Sequence, residues 1–202
     1  MRQILYNTMN DSQLWELLLQ GELPVLEVLY KRNYDLLLNY GLKYSSDKEL
    51  VKDCIHDIFI KLHQSKTLSF TPCPRSYLVK ALRNILFDKL TSLKEQLGVE
   101  EFVFSIPNST DLFETLFPKS DEDIEFGKQL LEAMSHLSDN QRNVLYLRYV
   151  KDFSYNEIAE VLDINVQSSM NLASRSLKKL RKLLTDNELR MCELVLILNL
   201  LY

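Results

Sequence analysis

Ser154-Tyr155-Asn156-Glu157-Ile158-Ala159-Glu160-Val161-Leu162-Asp163-Ile164-Asn165, continuing from Val166 through Leu184, is the stretch on which the reading of this chain turns. Ser154 with Glu157 three residues later is a capping box, so a helix begins there. Ile158, Ala159 and Leu162 recur on one face at helical spacing, with Glu157 and Glu160 expected outside. Ala159 leaves room for a second helix to cross closely. Asp163 tolerates the left-handed backbone of a sharp turn, although Gly would cost less. Ile164 plugs the corner, and Asn165 is a good N-cap for the helix that follows. That helix is expected to turn Val166, Ala173, Leu177 and Leu180 inward. Its other face carries Gln167, Ser168, Asn171, Ser174, Arg175, Lys178 and Lys179. The order of cap, helix, turn, cap and helix spells a helix-turn-helix.

Charge says what such an element is for. The chain of 202 residues is acidic, with 24 Lys and Arg against 28 Asp and Glu, a net charge of −4. Yet Val166 to Leu184 holds Arg175, Lys178, Lys179, Arg181 and Lys182 and no acidic residue. A duplex-binding protein needs that local excess, because releasing counterions from phosphates supplies most of its non-specific affinity. In a helix-turn-helix the early residues of the second helix meet base edges and the later basic ones meet phosphate. The acidic balance elsewhere leaves the rest of the surface for another kind of partner.

Composition bounds the alternatives. With 46% hydrophobic residues, only 4 Gly and 5 Pro, the chain is expected to be all-α, with one mid-sized core or two small ones. No repeat, low-complexity tract or signal-type N-terminus is visible. Cys54, Cys73 and Cys192 share no metal-like spacing and read as reduced thiols in a cytoplasm. The apolar stretch Leu194 to Tyr202 is too short to cross a bilayer, which takes about 20 residues. It is expected to pack on the preceding domain or on a partner. Few His, no Gly-rich phosphate loop and no ligand cluster leave little support for an enzyme or a cofactor.

Two small helical domains are expected. The first runs from Asp11 to Leu93. Pro24 opens a helix with Val25, Leu26, Leu29, Tyr30 and Tyr34, and an apolar run continues from Leu36 to Leu42. Ser46 and Glu49 read as a second capping box, ahead of an amphipathic helix through Leu50, Val51, Cys54, Ile55, Ile58, Phe59 and Leu62. A breaker-rich loop from Ser65 to Pro74 carries Phe70, and Arg75 to Leu90 is helical again and basic on one side. From 94 to 125 the pattern fails at Pro107, Asn108, Ser109, Pro118 and Ser120, so this is a linker. Phe102, Phe104, Phe113 and Phe117 make it more apolar than a free tether needs. The second domain spans 126–184. Leu130, Leu131, Met134 and Leu137 form one helix, and Ser138 with Gln141 caps the next through Val144, Leu145, Leu147 and Tyr149. An apolar tail, 185–202, follows.

This order of parts resembles the extracytoplasmic-function group of bacterial RNA polymerase sigma factors, from Leu23 to Leu184. Leu137-Ser138-Asp139-Asn140-Gln141-Arg142-Asn143-Val144-Leu145-Tyr146-Leu147-Arg148-Tyr149 with Phe153 to Ala159 resembles the family's region 4 signature. Lys52-Asp53-Cys54-Ile55-His56-Asp57-Ile58-Phe59-Ile60-Lys61-Leu62 resembles its core-binding helix in region 2. Tyr77 to Lys89 resembles the segment that reads and opens promoters.

The resemblance implies roles. Asp53, His56, Asp57 and Ile60 would meet a coiled coil of the largest subunit of core RNA polymerase, with His56 in place of a more usual Gln. Carboxylates one turn apart suit a basic partner helix. Tyr77 (where the family usually has Trp), Lys80, Arg83, Asn84 and Lys89 would hold the minus-ten element as single strand. An extruded base would enter the loop from about Gln64 to Pro74, where stacking contributes about 1–3 kcal/mol per base. On residue type alone, Tyr77 also suits a core position. Gln167, Ser168, Asn171, Ser174, Arg175, Lys178 and Lys179 would read the minus-thirty-five element. There Met170 replaces a common basic contact and Ser169 a buried aliphatic, implying weaker or altered reading.

A sigma factor of this kind directs initiation at promoter DNA, performs no chemistry of its own and takes no small-molecule substrate. By the same resemblance an anti-sigma factor would hold it inactive. Two other functions fit parts of the sequence. A helix-turn-helix regulator would bind DNA without polymerase, and a sigma-derived interaction protein would bind partners without initiating.

Overall fold

The structure, a computed structural model, describes residues 6–65, 67–97, 129–130 and 132–184, with the side chains of 93–97 left aside. The linker phenylalanines, Leu131, Cys192 and the apolar tail lie outside the described residues. Every regular element among the described residues is helical, as the sparse Gly and Pro predict. The chain divides into two compact units, 1–102 and 103–202.

In the first unit α1 spans Asp11–Leu19, α2 Val25–Gly41, α3 Lys48–Gln64 and α4 Pro74–Leu97. The helix α1 has no counterpart in the sequence reading. Asn10 caps it, accepting from the Gln13 N–H while the Gln13 side chain returns the bond. Arg32 then secures its start, donating to Asp11 and to the carbonyls of Met9 and Asn7. The capping box expected at Ser46 is displaced by one residue. Asp47 is the N-cap of α3, accepting from both Glu49 and Leu50, because its longer reach meets two free N–H groups.

The core of this unit gathers Leu14 and Trp15 from α1, Leu29, Leu37 and Tyr40 from α2, Val51 and Ile55 from α3, and Leu78, Leu82 and Leu86 from α4. Each contributes about 1.5–3 kcal/mol through the apolar surface it removes from water. Gly41 sets how closely α2 meets α3, since a Cβ there would collide with Val51 Cγ1. Tyr40, Tyr44 and Phe87 form an aromatic chain beside that crossing, with centroids 5.3 and 5.5 Å apart. Burial pushes the Tyr44 hydroxyl well above the ordinary tyrosine range.

In the second unit, residues 129–130 and 132–135 are helical and bury Leu130, Ala133 and Met134. α5 spans Asp139–Leu145 and starts at the Ser138–Gln141 capping box that the sequence spells. Arg142 turns back from it and is buried, donating to the carbonyls of Met134, Ser135 and Leu137. A cation thus closes the preceding helix's C-terminal end, where oxygens lack intrahelical partners. α5 passes into a π-helical turn, Tyr146–Val150, which the periodicity did not reveal. Arg148 leaves that turn to donate to the Phe153 carbonyl at 2.9 Å and to lie over the Tyr155 ring.

α6 spans Tyr155–Leu162 and α7 spans Val166–Leu183. Asp163 between them stands in the left-handed region, φ 57° and ψ 45°. Asn165 accepts from the Ser168 N–H at 2.7 Å. Two expectations are corrected here. Glu157 is buried rather than outside, because its carboxylate turns in to accept from both the N–H and the hydroxyl of Ser154. α7 buries Ser169, Ala173, Ser176 and Leu180, whereas Val166, expected inward, is 38% exposed and Leu177 only half-buried. The serines tolerate burial because Ser169 donates to the Val166 and Tyr155 carbonyls and Ser176 to that of Leu172. Small side chains on that face bring α7 close against α5 and α6.

Candidate functional site

The face of α3 opposite its core residues carries Asp53, His56, Asp57 and Ile60, spaced at three, one and three residues. Three of them are exposed, Ile60 at 39%, and Asp57 is half-buried. An apolar side chain left in water among carboxylates one turn apart suits a partner with basic residues around an apolar seam. Asp57 is not idle in this unit. Its Oδ2 accepts from Lys89 Nζ of α4 at 2.8 Å, and that bond raises the Lys89 ammonium above the ordinary lysine range.

The five residues singled out on α4 therefore do not share one face. Tyr77, Lys80 and Asn84 recur at helical spacing, and Asn84 is exposed. Arg83 is half-buried and turned into its own unit, its guanidinium 5.0 Å from the Phe87 centroid and within reach of the Tyr44 hydroxyl. Lys89 is turned toward α3 by Asp57. Tyr77, half-buried, meets Trp15 edge to face at a centroid distance of 5.0 Å. Both of the roles its residue type allows are thus compatible with its position. Its ring also lines a cavity of about 130 Å³ with Leu62, Ser65, Leu68 and Ala81, beneath the loop that joins α3 to α4.

Trp15 escaped the sequence reading. It is fully buried, and its indole N–H donates to the Ser69 carbonyl at 3.0 Å, so α1 tethers the loop that runs from 67 to 73. A Trp in an apolar helix reads as core, and only the fold reveals that its nitrogen reaches a loop 54 residues away. Phe70, in the same loop, is 55% exposed.

On α7 the side turned to solvent carries Gln167, Met170, Asn171, Ser174, Arg175 and Lys178, continued by Arg181 and Lys182. Gln167 Nε2 donates to Asn171 Oδ1 at 3.2 Å, aligning two amides one turn apart. Ser168 is half-buried at the edge of this face. Lys179 is exposed but bent back, its ammonium 2.6 Å from the His136 carbonyl. The stripe keeps one sign of charge along its length, which suits a polyanion.

Among the described residues no group of His, Cys, Asp and Glu is arranged to hold a metal ion. No described helix is long and apolar enough to cross a membrane. Cys54 is buried, and burial pushes its thiol up, away from the reactive thiolate.

Comparison with known proteins falls on the same elements. Residues 127–180 match the family model for Sigma-70, region 4. Over 162 residues the chain is 21% identical to the ECF RNA polymerase sigma factor SigM of Bacillus subtilis, covering 78% of this chain and 94% of the relative. It is 24% identical over 172 residues to the RNA polymerase sigma factor YlaC of the same organism, covering 80% and 93%. A solved structure of similar fold is the co-crystal structure of the sigma factor RpoE with the anti-sigma factor NepR from Bartonella quintana. The TM-score is 0.54 at 19% identity, covering 80% of this chain and 98% of that one.

Proposed function

We propose that this chain, a member of the sigma-70 family of the extracytoplasmic-function kind, binds core RNA polymerase and directs promoter-specific initiation of transcription. One observation carries the reading most. Within a single chain, one helical unit exposes carboxylates around Ile60 on α3, and the other exposes a stripe of cations on a helix-turn-helix. A regulator that acts on DNA alone needs only the second surface.

The division of labour follows from the chemistry of each surface. Residues 11–93 form the polymerase-binding and minus-ten module, 94–125 the linker, and 126–184 the minus-thirty-five module. Asp53, His56, Asp57 and Ile60 meet the coiled coil of the largest subunit. Tyr77, Lys80 and Asn84 take the strand of the minus-ten element, with Arg83 and Lys89 behind them. Gln167, Ser168, Asn171 and Ser174 face base edges, while Arg175, Lys178 and Lys179 face phosphates. An anti-sigma factor is the expected negative regulator, and the cytoplasm the place of action. The chain supplies positioning and strand separation, while bond formation stays with the polymerase.

Reversing charge at Asp53 and Asp57 together, Asp53→Lys with Asp57→Lys, tests the first surface. Core association should weaken at least about tenfold, or 1.4 kcal/mol, with the helical circular dichroism unchanged. Undiminished association would remove α3 from the polymerase interface.

A further inference from the structure

The first two turns of α7 hold an apolar feature that charge and packing leave unexplained. Seven large apolar side chains stand exposed among the described residues, and two of them, Val166 at 38% and Met170 at 42%, sit one turn apart there. They are not reserved for the core of the unit, because α7 packs inward through Ser169, Ala173, Ser176 and Leu180. They are also not scattered. They lie beside Gln167, Asn171 and Ser174, at the end of the helix that a helix-turn-helix directs at base edges, ahead of the cations that meet phosphate.

A duplex offers one apolar group in its major groove, the C5-methyl of thymine. The neighbouring amides favour the same base pair, since Asn and Gln match the N6 and N7 edge of adenine. We infer that Val166 and Met170 form an apolar step that reads thymine methyl groups in the upstream promoter element. A basic side chain at this position would seek guanine or phosphate, whereas the apolar Met170 favours A·T pairs through the thymine methyl rather than merely weakening the grip. This inference rests on the reading of α7 as the DNA-facing helix.

The test compares thymine with deoxyuridine, which differs only by the methyl group. Duplexes are first selected from a randomised pool with the full chain bound to core polymerase. A selected duplex is then remade with deoxyuridine replacing thymine in the protected upstream segment. The wild-type complex should bind the thymine duplex about fourfold more tightly for each methyl that is contacted, the value expected for one buried carbon. Met170→Ala should bind the thymine duplex more weakly and lose the distinction. Arg175→Ala should weaken both duplexes alike. If the wild type does not distinguish them, or if Met170→Ala still does, the inference fails while duplex binding sensitive to Arg175 leaves α7 as a DNA-facing helix. If no duplex is retained through this module, both fail together.

Discussion

Lys89 Nζ on α4 lies 2.8 Å from Asp57 Oδ2 on α3, so one side chain from each of two separate candidate surfaces is spent on the other. Both are more than a third exposed, which keeps the pair in the range of surface ion pairs. Lys89→Gln should therefore cost no more than about 0.5 kcal/mol in urea denaturation. The raised ammonium value fixes the direction with pH. The contribution is fully present below the ordinary lysine pKa of about 10.4 and fades as pH rises through the raised folded value. A loss above about 2 kcal/mol would mean a buried network rather than a solvated pair.

Gly41 should be far less tolerant. Gly41→Ala places a methyl group against Val51 Cγ1, and overpacking of this kind costs about 1–3 kcal/mol. Pairing it with Val51→Ala should cost less than the sum of the two single changes, a coupling that a double-mutant cycle measures. Strict additivity would show that α2 and α3 can simply move apart.

Trp15 separates packing from hydrogen bonding. Trp15→Phe keeps an aromatic ring near Tyr77 but removes the donor to the Ser69 carbonyl, at an expected cost of about 1 kcal/mol. Proteolysis within the loop from 67 to 73 should accelerate more than global unfolding does. Trp15→Ala should cost about 3–5 kcal/mol and destabilise the whole unit. Equal protease resistance in wild type and Trp15→Phe would remove the tether.

Arg175→Ala with Lys178→Ala should weaken duplex binding regardless of sequence. Fluorescence anisotropy over a salt series should show the slope of log affinity against log salt flattening by about 0.9 for each lost phosphate contact. An unchanged slope would place these cations away from the backbone.

Local rules were readable in this chain and long-range ones were not. The capping boxes at Ser138 and Ser154, the turn at Asp163 and the cap at Asn165 each depend on residues within a few positions, and each is present. The all-helical architecture follows from the same punctuation. On α7 apolarity alone is an incomplete mark of burial: Ala173 and Leu180 go inside as expected, but Leu177 is only half-buried. Ser169 and Ser176 satisfy their hydroxyls on carbonyls and go inside, leaving Val166 out. A carboxylate usually stays in water, yet the capping role of Glu157 draws it in. Positions on α4 that the family resemblance groups together are separated by partners on other helices: Tyr44 for Arg83 and Asp57 for Lys89. No spacing rule contains those partners.

The most direct measurement is reconstituted transcription with core polymerase, with and without this chain, on a library of genomic promoter fragments. Discrete transcripts that require the chain, and that disappear with Asp53→Lys and Asp57→Lys, are the predicted result. Core polymerase giving the same transcripts whether or not the chain is added, while the chain still binds duplex DNA by itself, would contradict the account.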